Sequence, residues 1–395
     1  MPSPLILPSA KRKPMSRSIS IWPLLSVSLF ALNPLPSALA EAKKSDDSIL
    51  TLGTVTVQGN SAGSGPLSTS SVLSSVDILG ADMLEKMPVN YSWELFSRAP
   101  GVMLTEFNQG TTSGKISFRG FNGEGEVNAV KLLIDGIPSN SNDGNMPFMD
   151  MIFPMELDSI EVVRGTSDAR YGLNNIAGNV NMLTRTGGDY RKARIRYGSY
   201  NTRETQLAAG IESSNWTQNY FFAYQKSGGY RDHSEADKFS MSGKWFYTPD
   251  DNSYRIGLIA RHYETEAQEP GYLSEEDARH HPSMTNSYNA TDKGTRRMNQ
   301  VSVHFDTEVS ETLAWSAKTY LNTFDDRRWT QYWRTSSQQE RDAYETQYGA
   351  LTSLTWRPEV SWLYNFALEG GADIQRQQNQ SERYRTKDRA RQAQT

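Results

Sequence analysis

Past Gly187-Gly188 the chain alternates polar and apolar side chains in segments of about ten residues. Val301, Val303, Phe305, Thr307 and Val309 fall on one side of an extended backbone, with Ser302, His304, Asp306 and Glu308 on the other. Phe239, Met241, Gly243, Trp245 and Tyr247 are likewise opposed to Ser240, Ser242 and Lys244. A period of two marks a strand with unlike faces. It predicts strands near 190–200, 203–213, 216–227, 237–247, 253–264, 298–308, 312–324, 345–356 and 362–376. Strands of roughly ten residues suit a tilted membrane span.

The connections alternate in length. Ser213 to Asn215, Pro249 to Asn252, Val309 to Glu311 and Arg357 to Ser361 are tight, whereas Ser227 to Ala236, Glu266 to Arg297 and Asp325 to Tyr344 are long and polar. A membrane barrel has short turns on one side and long loops on the other, a parity that a soluble sandwich has no reason to keep.

Upstream, the pattern is that of a mixed domain. Leu157 to Arg185 reads as two strands around a Gly-rich turn, with Ile160, Val162 and Val163 in the first strand and Asn179 to Leu183 in the second. Gly172 and Gly178 permit backbone that a Cβ would block. Asp82 to Lys86 and Tyr91 to Arg98 read as short helical pieces divided by Pro88, with Leu95 and Phe96 on a packing face. Strands follow near Val102, at Ile116 to Phe121 and at Val130 to Ile137, the last around the turn pair Asp135-Gly136.

Residues 1–40 have the form of a secretory signal: a basic stretch (Lys11, Arg12, Lys13, Arg17), an apolar run from Ile19 to Leu32, and Ala38-Leu39-Ala40 as a cleavage site. A membrane anchor is the alternative; the apolar run is short for one, and Pro34 and Pro36 interrupt it. Residues 41–75 form a charged, mobile start, a β-prone segment at Leu50 to Val57 and a Gly/Ser-rich linker. Composition sharpens this little. The chain has 395 residues, net charge −4, no cysteine, and 19 Tyr, 9 Trp and 14 Phe. It carries no electrostatic footprint for nucleic acid, and disulfides and thiolate metal sites are excluded. No nucleophile–base pair, phosphate loop or paired catalytic carboxylate stands out, so no enzyme and no cofactor are expected. His280-His281 lie among acids in a long loop, where a solvated face is favoured over a metal site. Met146, Met149, Met151 and Met155 have the soft sulfur that suits Cu(I), though methionine more often fills packing gaps.

Ile160-Glu161-Val162-Val163-Arg164-Gly165, Tyr171-Gly172 and Gly178-Asn179-Val180-Asn181 together resemble the end of the plug domain of TonB-dependent outer-membrane receptors. Pro100-Gly101-Val102, Ile116 to Phe121 and Ile134-Asp135-Gly136-Ile137-Pro138 are similar to further plug segments. The resemblance implies an α+β plug domain at 76–187, followed by the first antiparallel strands of a transmembrane β-barrel at 188–395. It implies active uptake across the bacterial outer membrane, most often of a ferric siderophore, with copper, haem, cobalamin or carbohydrate as alternatives. The partners would be the ligand, outer-membrane lipid, and TonB with its inner-membrane energising complex. Leu52, Thr54, Val55, Thr56 and Val57 resemble the TonB box, which would add to a sheet edge of TonB; the other reading makes them the first strand of the next domain. A passive porin or a secreted β-rich binding protein are the readings from other classes, and the plug motifs argue against the first.

Such a plugged barrel needs about 22 strands, and an open edge in lipid strands backbone groups. Nine strands are read here, and Gln375 to Thr395 resembles an outer loop. The chain is therefore expected to be the N-terminal part of a receptor, from a partial record or a broken gene, with the barrel incomplete and transport absent on its own. For the ligand face, the resemblance points to plug loops, and hydrogen-bonding chemistry selects Asn108, Gln109, Asn140, Asn142, Asp143 and Asn145. In the family arrangement Val102 to Thr105 and Leu132 to Ile137 both run towards that face. The alternative is that these residues only make Asx turns.

Overall fold

The computed structural model describes residues 75–122, 128–165, 174–359 and 366–392. The expected signal, the segment resembling a TonB box and the linker lie outside the described residues.

The hydrophobic core belongs to the plug. Five strands pair in the order β1 (Ser75–Gly80), β6 (Leu157–Arg164), β7 (Gly178–Thr184), β4 (Val130–Ile134) and β5 (Ile137–Pro138). β6 and β7 are antiparallel, as the sequence predicts, and β4 joins β7 in parallel. Gly178 sits at φ +142°, where an added Cβ would lie 2.1 Å from the Val163 carbonyl oxygen, so only glycine allows that approach. Asp135 and Gly136 both have positive φ and make the two-residue turn between β4 and β5. The expected helical pieces are one turn of α-helix, α1 (Ala81–Leu84), and a 3₁₀ helix over Ser92–Arg98 that buries Leu95 and Phe96. A separate hairpin, β2 (Val102–Gln109) with β3 (Thr112–Phe118), leans on that 3₁₀ helix: Trp93 Nε1 donates to Ser113 Oγ at 3.0 Å.

Residues 190–391 form one open antiparallel sheet of ten strands in chain order. They are β8 (Tyr190–Gly198), β9 (Thr202–Ser213), β10 (Trp216–Ser227), β11 (Ala236–Tyr247), β12 (Tyr254–Gln268), β13 (Lys293–Ser310), β14 (Leu313–Thr330), β15 (Gln338–Trp356), β16 (Leu368–Lys387) and the two-residue β17 (Ala390–Arg391). One face packs on the plug and is polar: Gln206, Ser240, Lys244, Arg261, Gln300 and Asn322 are all buried there. The other face presents Leu207, Met241, Leu258, Val303 and Leu321, each at least 40% exposed. This inversion of the soluble pattern is what a lipid-facing wall requires. Beside the short turns of β10 to β14, the rings of Trp216, Tyr247, Tyr254, Phe305 and Trp315 form an unbroken run of contacts with centroids 5.2–6.3 Å apart. Aromatic girdles of this kind mark a membrane interface.

Three expectations about the connections are corrected. The strands outrun the prediction, so the loop read from Asp325 to Tyr344 shrinks to 331–337 and the one from Glu266 to Arg297 to 269–292. The polar stretch from Gln375, read as an outer loop, is largely β16. Above the apolar band the outward residues turn polar while pairing continues. His262, Asn299 and Thr323 hydrogen-bond across three strands, and Glu264–Arg297 and Glu266–Lys293 ion pairs follow, each 2.6 Å long. The strand goes on where the hydrophobic signal stops. Finally, the first connection on the long-loop side, 199–201, is itself short, so the parity of lengths begins only with β10.

Candidate functional site

At the long-loop end the plug presents two segments to the sheet. The first is the β2–β3 tip. Gln109 is buried and its Nε2 donates to the Gly271 carbonyl at 3.1 Å; a Cβ on Gly110 would meet the Glu269 side chain at 2.7 Å. The tip is therefore tied to the 269–292 connection. The second segment, 139–148, reaches this end by a route that corrects the sequence expectation. Leu132 to Ile137 does not run towards the ligand end. β4 runs away from it, turns at Asp135-Gly136, and the chain after β5 climbs back.

Inward amides and a carboxylate of the sheet hold that returning segment. Gln300 Nε2 donates to Ser139 Oγ (3.0 Å), Asn322 Nδ2 to the Pro138 carbonyl (2.9 Å) and Gln347 Nε2 to the Asn140 carbonyl (2.7 Å), and Glu345 Oε2 accepts the Asn142 amide (3.0 Å). These residues were missed from sequence. The alternation through Ser302 and His304, carried two and four residues further, would have placed Gln300 and Met298 on the same inner face.

The six sequence candidates separate. Asn140 is buried; its Oδ1 accepts the Leu132 amide (2.8 Å) and its Nδ2 donates to the carbonyls of Val130 (2.9 Å) and Gly144 (3.1 Å). It builds the loop through residues four to ten positions away, whereas the Asx turn is made by Asp143, whose Oδ1 accepts the Asn145 amide (3.2 Å), and Gln109 ties the hairpin tip to the 269–292 connection. Asp143 and Asn145 line a cavity of about 320 Å³ between the loop and the inner wall. Burial pushes the Asp143 carboxyl up, but hydrogen bonds from Ser141 and Asn145 and the charge of Arg341 outweigh it and hold it below the usual range. Asn142 is exposed beside this cavity. Asn108, in left-handed backbone at φ +51°, lines a different cavity on the far side of the hairpin.

The first cavity joins aromatic and charged groups: Trp93, Phe107 and Phe324 with Lys115, Arg296 and Arg341. Arg296 is held by Asp326 at 2.9 Å and Asp150 at 3.4 Å. Arg341 is exposed and makes no hydrogen bond or ion pair among the described residues. Met146 and Met149 also border the cavity, but Met149, Met151 and Met155 are core residues. His280 and His281 lie at the end of the exposed helix α2 (Glu275–His280).

A second site of contact lies towards the short turns. Asp135 meets Lys244 at 3.1 Å and Arg261 in ion pairs, and accepts both the amide and the hydroxyl of Thr184 at 2.8 Å. Burial pushes this carboxyl up; the two cations and the Thr184 hydrogen bonds prevail and hold it well below the usual carboxylate range. Nearby, burial raises Glu156 against Arg261 and the Ser242 hydroxyl.

Comparison with known proteins agrees with this geometry. Residues 68–179 match the family model of the TonB-dependent receptor plug domain. The vitamin B12 transporter BtuB of Vibrio vulnificus (strain YJ016) is 28% identical over 165 residues, 41% of this chain and 26% of its own. The ferrioxamine receptor of Yersinia enterocolitica is 27% identical over 187 residues, 45% of this chain and 25% of its own. In fold, the unliganded ferric citrate transporter FecA superposes with a TM-score of 0.68 at 19% identity, over 81% of this chain and 50% of that one. The copper transporter OprC follows at 0.60 and 18%, over 78% and 46%. Residues 68–179 are thus similar in sequence to the plug domain of TonB-dependent receptors, and the plug with its open barrel sheet has the fold of these solved receptors. The chain spans about a quarter of these curated relatives and about half of the solved receptors.

Proposed function

We propose that this chain serves TonB-dependent uptake of a ferric siderophore across the bacterial outer membrane, with the ligand held in the first cavity. The observation that carries this reading is the cavity itself. A plug loop bearing Asp143 and Asn145 faces Arg341 and Phe324 on the inner wall of a sheet whose outer face is apolar. Aromatic surface with an exposed guanidinium that makes no hydrogen bond among the described residues fits a large, anionic iron complex, whose iron needs no ligand from the protein. Two relatives whose names concern ferric complexes support it. Copper has weaker support, because most of the methionine sulfur is spent in the core.

Energy enters through Leu52 to Val57. Paired to the edge of TonB, this segment transmits force to the plug, and ligand in the cavity biases its exposure. The chemistry is binding and displacement, with no covalent step. The test is uptake of radio-iron as ferrioxamine and as ferric citrate by iron-starved cells bearing the receptor. Val55→Pro removes a main-chain donor; it is expected to abolish accumulation while surface binding persists. Unchanged accumulation overturns the TonB-box assignment, and copper uptake in place of iron overturns the ligand.

A further inference from the structure

Charge at the long-loop end of β15 and β16 is sorted by face. Arg341 of β15 and Arg383 of β16 are direct cross-strand partners, so their side chains stand on the same face. That face is the inner one: Glu345 and Asn379, partners four residues along, line the first cavity as Arg341 does. Alternation adds Arg385 and Lys387 to it, further towards the long-loop end. All four cations are exposed, and none makes a side-chain hydrogen bond or ion pair among the described residues.

The outer face at this level is neutralised. Glu340 meets Arg391 there at 2.6 Å, and Asp342 meets Arg327 at 2.8 Å. Deeper on the inner face, Arg328 is held by Glu269 at 2.7 Å and Arg296 by Asp326 at 2.9 Å. Uncompensated positive charge therefore gathers at the mouth above the first cavity. Asp143, on which the Arg341 charge acts, and Asp388 in the β16–β17 turn are too few to neutralise four cations. Two arginines directly opposite on neighbouring strands repel and weaken the sheet. Folding supplies no reason for the pair; an anion arriving from the long-loop side does. Guanidinium forks match the paired oxygens of carboxylates, and a wall of one sign steers ions of the other towards it.

We propose that Arg383, Arg385 and Lys387 form an outer collecting site, distinct from the first cavity, which captures a multiply anionic ferric complex and passes it to Arg341. This narrows the class of cargo, and it rests on the reading of the first cavity as the cargo site. The test follows association of three ferric complexes with the receptor, purified in detergent micelles, by stopped flow. Ferric dicitrate and ferric tris-catecholate are multiply anionic, and ferrioxamine B is a cation. At least one of the anions is expected to bind about tenfold or more tighter than ferrioxamine B. Arg383→Ala/Arg385→Ala is expected to slow association of that anion about fivefold at about 20 mM salt, and to lose most of this effect at about 0.5 M, where screening is short-ranged. Its dissociation rate is expected to stay native and its melting temperature not to fall, since neither side chain holds a partner. Arg383→Lys/Arg385→Lys, which keeps the charge, is expected to associate within about twofold of the native rate. Binding of ferrioxamine B as tightly as the anions overturns the anionic class while leaving a ferric cargo in the first cavity. Binding of none of the three overturns both readings. A native association rate in the alanine variant, or a slowing that persists at high salt, overturns the collecting site.

Discussion

Asp135 and Lys244 meet at 3.1 Å across the boundary between plug and sheet, both nearly fully buried. One is the turn residue of a plug hairpin and the other an inward residue of β11, so their bond fastens the plug to the sheet. Arg261 and Thr184 complete the cluster, and Lys318 Nζ donates to the Asp135 carbonyl at 3.2 Å. Breaking a buried pair outright costs about 3–5 kcal/mol; Arg261 and Thr184 still hold Asp135 when Lys244 is removed, so the loss is a part of that. Lys244→Met is therefore expected to loosen the plug, while Asp135→Asn paired with Lys244→Met recovers part of the loss. Protease sensitivity of the plug in the assembled receptor measures both; equal sensitivity of native and single variant would refute the fastening role.

The same cluster has a pH dependence of fixed sign. The Asp135 carboxyl is depressed in the folded state. Its contribution is thus present above the ordinary aspartate range and is lost only as pH falls through the lower folded value. The plug should stay fastened at pH 4.

Glu269 behaves oppositely. It lies in the 269–292 connection, buried against Arg328 at 2.7 Å and Thr330 at 2.9 Å. Burial pushes it up to about 7, with Arg328 opposing. A folded carboxyl raised above its unfolded value binds the extra proton only when folded. Its favourable contribution is full below the unfolded range and is lost as pH rises through about 7. Amides of 269–292, corrected for intrinsic exchange, should open more readily at pH 8 than at pH 5.5, and Glu269→Gln should flatten that difference. A pH-independent opening in the native protein would contradict the prediction.

Much of this fold was legible in the sequence, for a physical reason. In the lipid-level half of each strand, one face meets apolar surroundings and the other the polar plug wall, so Val301, Val303 and Phe305 alternate cleanly with Ser302 and His304. Beyond that level both faces are wet. Arg297, Thr295 and Lys293 follow one another outward in the same strand, and no periodicity remains to betray it. Asn140 and Asn145 illustrate the limit at the site. Both are loop asparagines of like composition, but one closes its own loop with three hydrogen bonds and the other faces a cavity. That difference is set by the return of the chain after Asp135-Gly136, which local sequence does not encode.

The boundary between the two halves of the wall is itself testable. Val303 and Leu258 are outward and apolar, whereas Thr295 is outward opposite Glu266, between the Glu264–Arg297 and Glu266–Lys293 pairs. Arginine at the level of hydrocarbon costs about 2–4 kcal/mol, and little beyond the interface. Val303→Arg is therefore expected to lower the stability of the receptor in bilayers by that amount, and Thr295→Arg to leave it unchanged. Equal effects from the two would place the band elsewhere.

The last prediction separates the residues that build the ligand loop from those that face the ligand. Asn140 carries three hydrogen bonds in a buried position, so Asn140→Ala removes them and leaves the Leu132 amide and two carbonyls without a partner. At about 1–3 kcal/mol for an unsatisfied buried group, the loss should appear as a lower melting temperature of the receptor. Binding should weaken only as far as the loop is disordered. Arg341 is the reverse case. It lines the first cavity, is exposed and makes no side-chain hydrogen bond among the described residues, its charge acting on Asp143 from a distance, so Arg341→Ala takes little from the fold. A charge-assisted hydrogen bond to an anionic complex contributes about 1.5–3 kcal/mol, so affinity for the ferric complex should fall about tenfold or more. Arg341→Lys, which keeps the charge but not the planar fork, should recover part of it. Titration of both variants with the ferric complex that proves to be the cargo, alongside thermal melts, decides the matter. If Arg341→Ala melts early and binds normally, the guanidinium is structural and the ligand is held elsewhere.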